Sequence, residues 1–195
     1  MPSVTALRAR GPGRVAVELD GAPWRVLPVD VAARAGLAEG RVLDRPALRL
    51  LRRELRRAEA LRAATRALRS RDLSQRRLAE KLARSDVAPR AAAETLATLG
   101  RAGLVDDARL AWSRAESLAE RGYGDAAIRH RLTAEGLPRE RVEEAVTGLP
   151  TEADRAARLV ERRGSGPRTA RLLSARGFGD EAVEAALDAT FGQDC

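Results

Sequence analysis

Five arginines, Arg49, Arg52, Arg53, Arg56 and Arg57, fall within nine residues, with only Glu54 and Glu59 close enough to offset them. Guanidinium groups at that density bind oxyanions, either the phosphates of a nucleic acid or the carboxylates of an acidic protein groove. A solvated helix face would mix the two signs more evenly, to gain pairs between residues four apart. Arg71, Arg76, Arg77 and Lys81 form a second group with the same chemistry, and Arg162, Arg163, Arg168 and Arg171 a third. The 195-residue chain has 36 Lys and Arg against 28 Asp and Glu, for a net charge of +8. Residues 1–69 hold 15 of the basic and 7 of the acidic side chains, so the entire excess sits there. An arginine-rich codon usage would spread the charge evenly. The asymmetry therefore points to a polyanionic partner, with nucleic acid first.

Residues that make or break bonds are sparse. His130 is the only histidine, which excludes a two-histidine metal motif and leaves a Ser-His-Asp triad without its elbow sequence. It sits between Ile128 and Leu132, turned away from their apolar stripe, and reads as a solvated surface residue. Cys195, the only cysteine, is the last residue, so no internal disulfide is available and a cytoplasmic location is expected. Gly164-Ser165-Gly166-Pro167 lacks the lysine and the spacing of a phosphate-binding loop and reads as a turn between helices. Asp106-Asp107 is better explained by helix capping than by a metal. Neither catalysis nor a cofactor is expected. Trp24, Trp112, Tyr123 and Phe178 could in principle stack on bases, but Trp112 and Phe178 read as core anchors. Tyr123 has glycine on both sides and is expected to be exposed.

These side chains need elements to hold them. Hydrophobic residues are 44% of the chain and aromatics only 3%, so cores of Leu, Val and Ala are expected, which favours helices. No stretch approaches the ~20 apolar residues of a membrane span. Val15, Val17 and Leu19 alternate with polar or small residues, Asp20-Gly21 suits a tight turn, and Trp24 and Val26 continue beyond it. That is a β-hairpin, which must pack on something helical to be stable. Val29 to Ala35 reads as a short helix closed by Gly36. A long helix is expected from Pro46 to Arg69, with Leu48, Leu51, Leu55, Ala58 and Leu61 as its apolar stripe.

Past residue 70 the pattern repeats. Ser74, Leu78, Leu82, Asp86-Val87, Ala92 and Leu96 recur fifty residues later as Gly124, Ile128, Leu132, Gly136-Leu137, Val142 and Val146. They recur forty-one residues after that as Ser165, Thr169, Leu173, Gly177-Phe178, Val183 and Leu187. Each set describes two helices joined at a turn residue, and further helices starting at Asp106 and Thr151 lie between the pairs. The expected fold is mainly α: tandem three-helix repeats in an elongated curved chain, after the hairpin and the basic helix. The corresponding segments are 1–45, 46–69, 70–108, 109–150 and 151–195.

The residues above resemble the RecX family over nearly the whole chain. Arg69-Ser70-Arg71-Asp72-Leu73-Ser74, with Leu78 and Leu82, is similar to the start of that family's first helical unit. Gly103-Leu104-Val105-Asp106-Asp107 with Leu110-Ala111 resembles its glycine–apolar–aspartate signature, and Arg176-Gly177-Phe178 after Leu173 its closing element. Gly122-Tyr123-Gly124-Asp125 departs from the family's pattern, which carries basic residues at that helix start. The resemblance implies a regulator that binds RecA protein and the RecA–single-stranded DNA filament, inhibiting ATP hydrolysis, strand exchange and LexA self-cleavage. Direct DNA contact and a monomeric free state are the accompanying expectations. The alternative is a transcriptional regulator built from helix-turn-helix-like units. It would need Asn, Gln and Arg on its recognition helices, yet Asn is absent and the second helices read AAAETL, RERVEEAV and DEAVEAAL.

Overall fold

A computed structural model describes residues 1–191; Cys195 lies outside the described residues. Strands β1 (Val4–Ala9), β2 (Arg14–Leu19) and β3 (Ala22–Pro28) form an antiparallel sheet in that order. Asp20 and Gly21 join β2 to β3 with φ of +51° and +83°, the two positive values a tight hairpin turn requires. Asp20 also clamps the start of the chain, its Oδ1 accepting from Ser3 N at 2.8 Å and Ser3 Oγ at 3.0 Å. Those two bonds hold the Asp20 carboxyl below its ordinary pKa of 3.8.

The sheet has three strands where the sequence pattern reveals two. β1 escapes detection because its register shifts between Val4 and Ala6, which breaks the two-residue period. Val4, Val17 and Leu27 from the strands pack with Val31 and Ala32 of α1 (Val29–Arg34) and with Leu43, Ala47 and Leu51 around the start of α2 (Arg45–Leu68). The hairpin thus finds the helical support that it needs.

Asp44 caps α2 by accepting from Ala47 N at 2.8 Å, and Pro46 lies in the first turn, where a missing N–H costs nothing. The expected stripe holds through Leu48, Leu51, Leu55 and Ala58, all packed in or against the sheet core. Leu61 departs from it and is 40% exposed, while Ala60 and Ala64 are buried. Ala58 is the last α2 residue against the sheet core, so from there on other neighbours decide which face is buried.

The sheet, α1, α2 and residues 79–98 make one compact unit, and residues 71–78 with 99 onward make a second. Helices α3 (Gln75–Arg84) and α4 (Pro89–Arg101) are the two that fall between 70 and 108, where three were expected. On α4 the buried residues are Ala91, Thr95 and Leu99 rather than Ala92 and Leu96. Apolar or small residues surround this helix, so periodicity alone does not choose its inner face.

In the second unit, α5 (Asp107–Glu120), α6 (Asp125–Ala134) and α7 (Arg139–Thr147) share one core built around Leu110, Ala115, Ile128, Leu132 and Val142. Helices α8 (Glu152–Arg163), α9 (Pro167–Ala175) and α10 (Asp180–Phe191) share another, around Val160, Leu173, Phe178 and Val183. Asp106 caps α5 through Ala108 N and Arg109 N at 3.0 Å each, and Thr151 caps α8 through Asp154 N at 3.2 Å. Phe178 is buried as expected, but Trp112 is 42% exposed. The indole packs against Gly148, where an added Cβ would stand 2.2 Å from its Cζ3.

Two joints of one design recur in this unit, one at the head of α3 and one at the head of α6. Ser74 Oγ donates to Glu135 O at 2.8 Å while Gln75 N donates to Asp107 Oδ1 at 2.9 Å. Forty to fifty residues on, Gly124 N donates to Arg176 O at 2.9 Å and Asp125 N to Glu152 Oε1 at 2.5 Å. In both, the start of one middle helix is capped by a carboxylate and a turn carbonyl supplied by the next group, which satisfies orphan N–H groups. An added Cβ at Gly124 would lie 2.3 Å from the Gly177 and Phe178 backbone, so that joint closes only over glycine.

Candidate anion-binding surface

Helix α2 places the first arginine group. Its buried face fixes the rotation of the helix, which turns Arg49, Arg52, Arg53 and Arg56 outward, all four exposed, while Arg57 is half-buried. Arg49, Arg52, Arg53 and Arg56 line a shallow groove of about 370 Å³, completed by Ala88 and by Arg90, Ala91 and Glu94 of α4. Arg90 is paired with Glu94 at 3.0 Å. Arg53 lies 3.3 Å from Glu54, whose side chain is only 5% exposed, so one of the five also neutralises a buried carboxylate. A second, larger groove of about 590 Å³ adjoins through Arg56 and brings in Arg62 and Arg66 against Glu59 and the turn at Ser85-Asp86. Sequence reasoning stopped at Arg57 and missed Arg62, Arg66 and Arg90. The four-residue steps from Arg52 to Arg56 and from Arg62 to Arg66 were the signal for the first two; Arg90 is reached only through the fold.

The second group is divided. Arg71 and Arg76 are exposed and Lys81 is half-buried. The aliphatic part of Arg76 stands against Gly136, and Arg77 donates from Nη2 to Ala134 O at 2.6 Å, so both serve the first joint. The third group is exposed throughout: Arg162 and Arg163 end α8, and Arg168 and Arg171 lie in the first turn and the middle of α9. Arg162 donates to Arg158 O at 3.0 Å and borders a groove of about 340 Å³ that also holds Arg155, Arg158, Glu116 and Glu120. The Gly164–Pro167 stretch is an interhelical turn, with Gly164 ending α8 and Gly166 starting α9. His130 is exposed on α6.

Tyr123 is half-buried rather than open to solvent. Its ring packs against the α5–α7 core and has three guanidinium groups around it, Arg131 at 4.2 Å, Arg121 at 5.6 Å and Arg176 at 5.7 Å from the centroid. Arg155, 6% exposed, donates to Pro150 O, to Tyr123 O and to the Asp125 carboxylate, and so ties α8 to the start of α6. The Arg141 guanidinium is held above its ordinary pKa chiefly by its hydrogen bond to Glu144. Among the described residues no three or more His, Cys, Asp or Glu side chains gather in a way that could hold a metal ion, and no helix is long and apolar enough to cross a membrane.

The class defined here is a helical-repeat protein with arginine-lined surface grooves. Residues 106–146, which are α5 to α7 with their leading cap, match the family model for the second three-helix domain of RecX. A regulatory protein RecX from Halorhodospira halophila (strain DSM 244 / SL1) is 33% identical over 143 residues, covering 68% of this chain and 89% of that protein. One from Stenotrophomonas maltophilia (strain R551-3) is 32% identical over 126 residues, covering 60% and 77%. A crystal structure of regulatory protein RecX superposes with a TM-score of 0.79 at 21% identity, covering 96% of this chain and 100% of its own. That of RecX from Lactobacillus salivarius gives 0.60 at 17% identity, covering 69% and 96%. The chain belongs to the RecX family.

Proposed function

We propose that this protein binds the RecA–single-stranded DNA filament and damps its ATP hydrolysis, strand exchange and stimulation of LexA self-cleavage, while performing no chemistry of its own. Membership of a family of regulatory proteins supports the reading, and one observation carries it: the continuous cationic flank of α2. Arg49, Arg52, Arg53 and Arg56 share one groove with Arg90, and Arg56 passes the charge on to Arg62 and Arg66. Such a surface complements DNA phosphate and acidic protein alike, and long-range attraction would steer it onto a polyanionic filament. A bound regulator shifts the filament toward whichever form it prefers, and only by its difference in affinity; a tenfold preference supplies about 1.4 kcal/mol. The protein acts in the cytoplasm in this reading and is a monomer when free.

Co-sedimentation tests it. The protein is expected in the pellet with RecA filaments assembled on single-stranded DNA with an ATP analogue, and in the supernatant when RecA is omitted. Its remaining in the supernatant with filaments present would refute the reading.

A further inference from the structure

Residues 122–125 at the start of α6, Gly122-Tyr123-Gly124-Asp125, carry no positive charge. The structure supplies that charge from elsewhere. Arg121 at the end of α5, Arg131 on α6 and Arg176 at the end of α9 converge on the Tyr123 ring. From those ring distances, no two of the three guanidinium carbons are farther apart than about 11 Å, near the screening length of about 10 Å at ~0.1 M salt. Among the described residues no carboxylate pairs with any of the three.

Arg176 is held in place, since its Nη1 donates to Arg121 O at 2.8 Å and to Gly122 O at 3.3 Å. Arg121 and Arg131 instead look into an open groove of about 450 Å³ between α5 and α6, which also takes in Arg114 and His130. The one carboxylate lining it, Glu135, is already 3.5 Å from Arg114. Gathering like charges without counter-charges is unfavourable in the free protein, and the π-face of Tyr123 offsets only part of the repulsion. An anion entering the groove supplies what is missing.

We infer that this arginine cage around Tyr123 is a second anion site and that its ligand is the backbone of single-stranded nucleic acid. Length favours a polymer: the seven-residue step from Arg114 to Arg121 rises about 10.5 Å along α5, farther than a single phosphate spans. Composition favours nucleic acid over an acidic protein. The buried centre of a protein interface is largely apolar, whereas among the described residues lining this groove only Leu118, which is buried, and Ala134 are apolar. Guanidinium planes, by contrast, both pair with phosphates and stack on unpaired bases. The inference deepens the proposed function, since it adds a strand contact to a filament regulator, but it can be tested without RecA.

The test is fluorescence anisotropy of a labelled oligothymidylate with the full chain, titrated with salt. Wild type binds it. The Arg121→Glu/Arg131→Glu variant is expected to bind at least tenfold more weakly, with a slope of log K against log salt shallower by about 1.4, or about 0.7 for each lost contact. Arg109→Glu/Arg139→Glu, the same charge change at two exposed residues outside the groove, is expected to retain most of the affinity. An unaltered slope in the groove variant, an equal loss in the control, or no binding by wild type each overturns the inference. So does loss of RecA-filament binding in the groove variant with oligonucleotide affinity intact, since that assigns the cage to an acidic protein face. If wild type binds the oligonucleotide through the cage yet leaves RecA untouched, the proposed function fails and this inference stands.

Discussion

Single residues separate binding charge from structural charge. Arg49 and Arg53 are both exposed on α2, but only Arg53 stands beside the buried Glu54 carboxylate. Reversing Arg49 to Glu should leave stability within about 0.5 kcal/mol, as surface substitutions do. Reversing Arg53 to Glu strands a buried carboxylate and should cost about 1–3 kcal/mol. Urea denaturation of the two variants side by side checks this, and equal midpoints would show that Glu54 does not need its partner. The joint at Gly124 is a sharper case, because an added Cβ meets backbone at 2.3 Å and nothing there can turn aside. Gly124→Ala should destabilise by about 1–3 kcal/mol, the usual cost of overpacking, whereas Gly166→Ala, where a Cβ meets open space, should cost much less. Thermal melting would show the two variants well apart. Arg155 was never singled out by its sequence, yet it is one of the few buried charges among the described residues. Its importance comes from carbonyl groups at 123 and 150 that only folding brings to it.

At the scale of elements, what could be read in advance was local chemistry. Asp20-Gly21 marks the hairpin, Pro46 the entry to α2, and Asp106 and Thr151 the entries to α5 and α8, because a turn or a cap is made by residues adjacent in sequence. Three things stayed hidden, each for a physical reason. A bulge removed the alternation of β1, a helix with small residues all round left the inner face of α4 open, and the joints pair residues as far apart as Ser74 and Glu135. The Asp20 clamp gives a pH test of one element. The folded pKa lies below 3.8, so its stabilising contribution is complete above the unfolded value and is lost as pH falls through the folded one. The Ser3 amide resonance should therefore titrate with a midpoint below 3.8, and Asp20→Asn should abolish that titration. A midpoint above 3.8 would mean that Ser3 does not hold the charged form. For α2 the expectation concerns binding. Arg49→Glu/Arg52→Glu/Arg56→Glu spares the Arg53–Glu54 pair, and filament affinity should fall with a salt slope reduced by about 0.7–0.9 per contact removed. Unchanged affinity and slope would reduce the cluster to a solvated face.

At the scale of the whole molecule, the charge excess and the repeats answer different needs. The repeats are Leu- and Ala-cored groups held to one another by the two joints, where some arginines are spent on internal bonds. The +8 of residues 1–69 then falls on the unit that carries the α2 grooves. Arginines divide accordingly between those that build joints, such as Arg77 and Arg155, and those that face solvent along α2. A regulator built in this way works by occupancy: its effect should saturate with binding, weaken with salt and vanish with the surface charge. The measurement that reaches this claim most directly is the rate of DNA-dependent ATP hydrolysis by the cognate RecA, with the protein titrated from below to above one per RecA subunit. The rate should fall across that range with wild type and recover with the triple α2 variant. A rate that holds steady at several-fold excess of folded wild-type protein would contradict the account.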